Sequence, residues 1–441
     1  MTSQNDIHAS YLLHLLSCAL RGQTPRPLPE GESFEAVFTL ACSNSIASTC
    51  ACAVQLVPNA DEKERKRWQI EEDRNLMRHA VFDMQREAVF AAMDEAELAY
   101  LPLKGIVVSR EYPRPEMRWM CDNDILFGHI DVNGTPQSAT ESDARKLQKI
   151  MEARGFKTAR FKRCHHDSYE KAPFISMEMH RYLVSAKLPC AAYYENPWQR
   201  ACANSDNANK SDSDSSNGGS ANKGGSNDGS NDNTHSMAFA FSHEDSYLFH
   251  IAHTHKHFAH AGCGVRCLAD EWVLMQAWGP SMDREYLDAE LQKLDMVEFE
   301  ATLRHLAQAC IGDDICGRAL AGDTNAIEAA DAEMLAYMLN SGTYGTVNNR
   351  VKNQMTREAN EHGESFMRAR YLLKRAFPGF KHLKQCYPIL ERAPWLAPGA
   401  CVFRLITKSF TRSKYVAAEL SAVAKEGTPS KTSPDNNVDA V

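Results

Sequence analysis

Strand-like patterns are confined to a central block of the chain, and helical patterns precede and follow it. Short apolar or alternating runs, typical of β-strands, occur near residues 99–103, 123–127, 158–162 and 174–180. On both sides of this block, apolar side chains instead recur at three- and four-residue steps, as they do in amphipathic helices. The sequence therefore predicts an α+β protein with a small sheet and largely helical N- and C-terminal regions.

The helical segment at residues 61–97 opens with a charge run that is typical of a solvated face. Its apolar side chains then recur mostly at helical spacing, which predicts that they form one buried face. These residues are Leu76, Ala80, Val81, Met84, Ala88, Phe90 and Met93.

A low-complexity segment interrupts the chain after the central block. Residues 203–236 are almost wholly Ser, Asn, Asp, Gly and Lys, and because these side chains bury little apolar area we expect a disordered insertion. The polar end of the chain is expected to be frayed. The sequence thus predicts a helical N-terminal region (1–98), a catalytic core (99–202), the insertion (203–236), a helical C-terminal domain (237–425) and a flexible tail (426–441).

The composition argues against several classes of protein. The 441 residues include 49 Lys and Arg against 57 Asp and Glu, and a net charge of −8 weakens the case for a general nucleic-acid binder. No apolar run reaches the roughly 20 residues of a spanning helix, and the N-terminus lacks the pattern of a secretory signal. We therefore expect a cytoplasmic protein with no membrane partner, whose fourteen cysteines are reduced thiols.

Two aspartates open the second predicted strand. In an extended chain, residues two positions apart point to the same side, so Asp122 and Asp124 flank Asn123 with their carboxylates together. Such a pair either faces water or binds a hard cation, and oxygen ligands suit Mg²⁺ combined with the phosphates of a nucleotide. Taken alone, an Asp-x-Asp pattern is weak evidence for a metal site.

A histidine-rich helix is predicted in the C-terminal region. On a helix, His250, His253 and His257 share one face, and such a face could bind a transition metal, as in a zinc hydrolase. We prefer the interpretation that these histidines form hydrogen bonds within the fold or meet the active-site cleft. Further along, Arg266 and Asp270 are one helical turn apart and are expected to form a structural ion pair.

Several short motifs occur in an order that resembles a known family. They are Lys104-Gly105 at a helix start, Tyr112-Pro113, Arg118, the strand from Asp122 to Leu126, and Glu178-Met179-His180 on a later strand. Their order and spacing are similar to those of the uncharacterised nucleotidyltransferase family of the polymerase-beta-like superfamily. The resemblance extends over most of the chain and is specific in the central block, where it implies a small mixed nucleotidyltransferase sheet with flanking helices.

The resemblance also implies an activity and a set of catalytic residues. The enzyme would move a nucleoside monophosphate from an NTP, expected to be ATP, to an acceptor. Asp122 and Asp124 would hold two Mg²⁺ ions, or Mn²⁺, and Glu178 would be the third carboxylate ligand. Two ions about 4 Å apart can clamp the attacking and leaving oxygens of a displacement at phosphorus.

Four further residues are expected to contact the nucleotide. Gly105 would let backbone N–H groups approach the phosphates at a helix N-terminus. Lys104 and Arg118 would offer positive charge to the same phosphates. Alternatively, Lys104 could be a surface lysine and Arg118 could pair with a nearby carboxylate. His180 could orient the carboxylate of Glu178, meet a phosphate, or simply pack within the fold.

The chain departs from the wider superfamily at two positions. Lys104-Gly105 stands where Gly-Ser or Gly-Gly is usual, so the serine contact to phosphate is missing. Asn123 stands where a branched apolar residue is more common, and its amide on the core-facing side predicts a weaker strand or an altered sheet.

The acceptor is not evident from the sequence. The acidic net charge favours a small molecule or a protein over a long nucleic acid. The alternative to an active enzyme is a catalytically weak nucleotide-binding regulator, or an antitoxin-like protein, with the same fold.

Overall fold

The computed structural model describes residues 4–162, 164–203, 236–322, 329–363, 366–380, 383–384 and 387–425. Nearly all of the predicted insertion and the whole predicted tail lie outside these described residues. Within the described ranges, none of the helices combines the length and the hydropathy needed to cross a lipid bilayer.

Helices form the N-terminal region, as predicted. They are α1 (Gln4–Arg21), α2 (Phe34–Ser43), α3 (Ala47–Val54) and the long α4 (Glu62–Glu95). Helix α4 begins where the Asp61 side chain accepts a hydrogen bond from the Glu64 N–H at 2.8 Å, a standard cap for unpaired N–H groups.

The buried face of α4 differs from the predicted one. Leu76 and Met84, which were expected to be buried, are 51% and 56% exposed. The buried face instead includes Asn75 and His79, which bond the backbone carbonyls of Glu116 and Arg118, the latter at 2.8 Å. An apolar pattern cannot reveal polar residues that are buried through hydrogen bonds, so the helix is rotated relative to the expectation.

A mixed sheet of six strands follows. In chain order, the elements are β1 (Leu98–Pro102), the short helix α5 (Gly105–Val108), β2 (Asn123–Ile130), β3 (Pro136–Ser138), α6 (Glu141–Ala153), β4 (Lys157–Arg160), β5 (His166–Lys171) and β6 (Ile175–His180). The strand order is β1-β2-β6-β5-β4, and β3 pairs with residues 128–130 of β2, beyond the residues that pair with β6. Strands β2 and β6 run parallel, whereas the other pairs are antiparallel. The predicted α+β class with a mixed sheet is confirmed.

The two faces of the sheet have different environments. Apolar residues of β2 and β6, such as Ile125 and Met177, pack against Phe82 of α4 and Leu147 of α6. The alternate residues point to the opposite face, since side chains alternate along a strand. That second face carries Asp124, Glu178 and His180 and is covered by helices from the C-terminal region.

The C-terminal region begins with a two-stranded sheet and continues as helices. Its elements are β7 (Ala201–Ala203), β8 (Phe239–Phe241), α7 (His243–His260), α8 (Arg266–Ala277), α9 (Arg284–Leu294), α10 (Val297–Ala307), α11 (Ile315–Leu320), α12 (Ala329–Ser341), α13 (Val347–His362), α14 (Met367–Ala376), α15 (Ala397–Thr411) and α16 (Ser413–Lys425). Helices α9 and α10 are separate because Asp295, which lies between them, adopts a left-handed conformation with φ of 55°.

One large apolar core joins the N- and C-terminal helices. Leu12 of α1, Leu126 of β2, Leu248 of α7 and Leu268 of α8 all belong to it and are buried. Helices from both regions therefore pack against the face of the sheet that carries the acidic residues, whereas α4 packs through Phe82 against the other face. The domain boundaries stay a prediction.

A buried ion pair fastens α8 to the loop before β2. Arg118 donates from Nε and Nη2 to the two carboxylate oxygens of Asp270 at 2.7 and 2.8 Å, and the Tyr112 hydroxyl donates to Oδ1 at 2.7 Å. Burial alone would raise the pKa of Asp270, but the guanidinium outweighs it and lowers this pKa to about 2. Asp270 is thus in a structural ion pair, but the predicted partner was wrong, since Arg266 instead donates to the Trp119 carbonyl at 3.1 Å.

We expect Asp270→Asn to lower the free energy of unfolding by about 3 kcal/mol, because it leaves the Arg118 charge buried without a counter-charge. The free energy is measured by urea denaturation. Arg145→Gln is the matched control, since it breaks an exposed pair with Glu141 at 3.0 Å and should change stability by less than about 1 kcal/mol. Similar losses in the two variants would contradict the structural role of the buried pair.

Candidate active site

The parallel pairing of β2 with β6 brings two carboxylates together. Asp124 lies directly opposite Glu178, and Leu126 lies opposite His180. Side chains at paired positions of neighbouring strands leave the same face of the sheet. Ligand atoms of Asp124, Glu178 and His180 accordingly lie within 4.8 Å of one another.

Asp122 lies one residue before β2 and shares the electrostatic environment of this pair. Burial first, and then the charge of Asp124, raises the pKa of Asp122 to about 6. Burial, followed by the charges of Asp124 and Asp122, raises the pKa of Glu178 to about 7. The three predicted carboxylates thus concentrate negative charge on one face of the sheet, at the interior strands β2 and β6.

Asp124 is held by two neighbouring side chains. Lys104 donates from Nζ to Asp124 Oδ1 at 2.6 Å, and the fully buried His180 approaches the same oxygen with Nε2 at 2.8 Å. Since a carboxylate only accepts hydrogen bonds, Nε2 carries the proton. Burial acts to raise the pKa of Asp124, but Lys104 and His180 outweigh it and lower this pKa, so Asp124 is ionised. His180 therefore orients Asp124, a different carboxylate from the Glu178 considered in the sequence.

The Lys104-Gly105 turn has a constrained backbone. Lys104 adopts φ of 48° and ψ of −118°, and the Ile106 N–H donates to the Leu103 carbonyl at 3.2 Å across the turn. Residues other than glycine rarely adopt this conformation, and it costs of order 1–3 kcal/mol. The surrounding contacts, including the Lys104–Asp124 ion pair, hold the turn against this strain.

Gly105 is required by a close approach of side chains. A Cβ atom at this position would lie 2.8 Å from Arg118 Nη1, which is closer than Cβ atoms in proteins approach other non-hydrogen atoms. Arg118 is therefore packed beside the turn while its other nitrogens bind Asp270. Contact of Gly105 and Arg118 with phosphate stays a prediction.

Asn123 does not disturb the sheet. Its register with Met177 continues without a break into the next pairs, so the expected weakening of the strand is not found. The reason lies on α4, where Arg86 donates from Nη1 to the buried Asn123 Oδ1 at 3.1 Å. This bond partly satisfies the amide on the core-facing side.

Helix α7 contributes a lysine that sequence analysis missed. Lys256 lines a small cavity together with Lys104, His165 and His253. Among the described residues it has neither an ion pair nor a hydrogen-bond partner, and burial, followed by the nearby charge of Lys104, lowers its pKa. No sequence pattern marks Lys256, a single lysine between two histidines, as part of the site. Its proximity to Asp124 and Glu178 arises only from tertiary packing.

The histidines form two groups around the same cavity. The rings of His165, His166 and His180 have centroids 4.7 to 5.3 Å apart, and His166 Nε2 lies 3.3 Å from Glu178 Oε1. Burial first, and then the neighbouring His180, lowers the pKa of His165 to about 3 and that of His166 to about 4. Both imidazoles are therefore neutral near pH 7 and do not compete with a cation through charge.

The predicted face of His250, His253 and His257 divides into two parts. His253 and His257 approach each other with Nε2 atoms 3.1 Å apart, whereas His250 Nε2 lies 3.5 Å from Glu271 Oε2. Within the described ranges, these three do not form a common set of metal ligands. The geometry favours the interpretation that they form contacts within the fold and, through His253, meet the cleft.

The site thus places a cluster of carboxylates beside a cavity that is lined by two lysines. The donor set of Asp124 and Glu178, with Asp122 nearby, consists of carboxylate oxygens, which hard divalent cations prefer. A divalent cation would also relieve the repulsion that raises the pKa values of Asp122 and Glu178. Lys104 and Lys256 offer positive charge on the cavity side, where an anionic group would be favoured.

Comparison with known proteins assigns the chain to a family. A family model described as an uncharacterised nucleotidyltransferase matches residues 30–312, which contain the carboxylates, the Lys104-Gly105 turn and Lys256. No curated protein and no solved structure matches the chain. The match spans well over half of the sequence and agrees with the motifs on β2 and β6. The chain belongs to this family of uncharacterised nucleotidyltransferases and is a transferase of phosphorus-containing groups.

Proposed function

We propose that the enzyme transfers a nucleoside monophosphate from an NTP, with ATP as the proposed donor, to a hydroxyl or phosphate of an acceptor, with release of pyrophosphate. The observation that carries this proposal is the position of Asp124 directly opposite Glu178 on parallel strands. These carboxylates lie beside a cavity that contains two lysines. Carboxylates next to lysines suit a nucleotide that binds together with a divalent cation.

Asp122, Asp124 and Glu178 are the proposed ligands of Mg²⁺ or Mn²⁺, in a two-metal arrangement. When bound, the metal would neutralise phosphate charge and favour the ionised form of an attacking hydroxyl. The protein residues perform the supporting tasks. His180 fixes the orientation of Asp124 through the bond from Nε2, and the strand register fixes Glu178 beside it.

The nucleotide phosphates are proposed to bind beside the basic cavity, against the two lysines that line it. Lys104 Nζ already lies 2.6 Å from Asp124 Oδ1, and Lys104 also lines the cavity, so it lies between the carboxylates and the cavity. Lys256 approaches from α7 without a partner among the described residues. Charge-assisted contacts from these two ammonium groups would hold the triphosphate against the carboxylates.

The proposed acceptor is a small molecule or a protein, because the net charge of −8 does not favour a long nucleic acid. A cytoplasmic location is part of the same proposal.

One observation supports the alternative of a catalytically weak nucleotide-binding regulator. The Lys104 ammonium and His180 both occupy the same oxygen of Asp124, so a metal must share or displace these contacts. If the protein is such a regulator, NTP with Mg²⁺ should raise its Tm by about 3 °C or more. No label should then be transferred from the NTP to an acceptor. Differential scanning fluorimetry with and without Mg²⁺, run beside the transfer assay, distinguishes this alternative from the enzyme.

Asp124→Asn and Glu178→Gln should each reduce transfer by at least about 100-fold, because each removes a carboxylate charge from the proposed metal site. Transfer is measured with α-labelled ATP, GTP, CTP and UTP in a lysate that supplies acceptors. The matched control is Glu170→Gln, which makes the same chemical change at an exposed position of β5. Transfer by both site variants at the wild-type rate would mean that the catalytic site lies elsewhere.

Lys256→Gln should raise KM for the NTP by about tenfold or more, because a charge-assisted contact to phosphate is lost. The effect on kcat should be smaller if the contact is made equally in the ground state and the transition state. Steady-state kinetics separate the two constants. Lys149→Gln, at an exposed position of α6, serves as the control, and an unchanged KM in Lys256→Gln would exclude Lys256 from the phosphate site.

A further inference from the structure

Helices α14, α15 and α16 lie in a segment that carries a strong positive charge within an acidic protein. Residues 366–425 contain twelve Lys and Arg residues and two acidic residues, whereas the whole chain has a net charge of −8. These helices also lie outside residues 30–312, the segment that the family model matches. The nucleotidyltransferase fold therefore does not account for the composition of this region.

Helix α15 turns its apolar face outward. The opposite face contains the buried Cys401 and Arg404, and Arg404 donates from Nη2 to the Ala376 carbonyl at 3.3 Å. A helix on the surface of a globular protein normally shows the reverse arrangement, with its apolar stripe facing the core. The outward residues are Val402 (53% exposed), Phe403 (58%), Ile406 (52%) and Phe410 (82%).

Further exposed apolar side chains precede α15. Trp395 lies just before the helix, and Leu373 and Phe377 lie in and just after α14, all of them mostly exposed. Exposed basic residues accompany them, including Arg412 and Lys414 directly after α15. We name the set of Trp395, Val402, Phe403, Ile406 and Phe410, with these basic residues, the α15 surface.

We propose that the α15 surface binds an anionic phospholipid bilayer. Outward Phe, Ile and Trp side chains can enter the boundary between headgroups and acyl chains, while Lys and Arg meet the negative headgroups. Such peripheral binding needs no spanning helix, so it agrees with the absence of one from the described ranges. It revises the expectation, drawn from the sequence, of a protein without a membrane partner.

Two other occupants fit the observations less well. A second copy of the same surface would carry the same excess of positive charge, and the two copies would repel each other. RNA would match the charge and could stack on Phe and Trp, but it gains little from the aliphatic Val402 and Ile406. A lipid surface uses the charge, the aromatic and the aliphatic side chains together.

The proposal is tested by sedimentation of the full-length protein with vesicles. The protein should bind phosphatidylcholine vesicles that contain about 30% phosphatidylglycerol and not vesicles of phosphatidylcholine alone. Raising the salt to about 0.5 M should weaken binding, because it screens the charges. The variant Phe403→Gln/Ile406→Gln/Phe410→Gln should reduce the bound fraction by about tenfold, because it removes the apolar contribution.

A matched variant controls for the general loss of exposed apolar surface. Met77→Gln/Met84→Gln changes residues of α4 that are 66% and 56% exposed, and it should bind vesicles as the wild type does. Unchanged thermal unfolding of both variants verifies their folding. Absence of binding to anionic vesicles, or equal binding by the triple variant, would overturn the proposal. The proposal would also be overturned if the wild type binds RNA or self-associates but does not bind vesicles, and the triple variant loses that RNA binding or self-association.

Discussion

The parallel pairing of β2 with β6 is the interaction on which the rest of the site depends. It sets Asp124 opposite Glu178, so that two carboxylates leave the same face of the sheet side by side. A shift of one residue in this register would turn Glu178 into the apolar core and expose Met177 or Met179. The packing of those methionines against α4 and α6 therefore stabilises the arrangement of charged groups on the opposite face.

Concentrating negative charge on a buried face of the sheet requires compensation, and the protein supplies it from three directions. Lys104 approaches from the turn after β1, His180 from β6 itself, and Lys256 from the C-terminal helix α7. The result is one ionised aspartate, two carboxylates with raised pKa values and an adjoining basic cavity. Carboxylates and lysines that lie next to each other within a small volume suit a polyanionic ligand that binds together with a cation.

Much of this arrangement could be predicted from local pattern. The alternation of strands places Asp124, Glu178 and His180 on defined faces, and the motif order led to the correct family. Long-range partners could not be predicted in this way. Helical spacing favoured Arg266 as the partner of Asp270, but the actual partner, Arg118, is 152 residues away in sequence. Lys256, the buried Asn75 and His79, and the polar strand β5 were likewise determined by tertiary packing, which leaves no periodic signal.

The contact between Gly105 and Arg118 links residues that are distant in sequence. A side chain at position 105 would require Arg118 to move, and moving Arg118 would leave the buried carboxylate of Asp270 without its counter-charge. Replacement of any one of the three is therefore unfavourable unless the others change with it. We therefore expect the Lys104-Gly105 turn, the loop before β2 and helix α8 to vary together during evolution, although more than 160 residues separate Gly105 from Asp270.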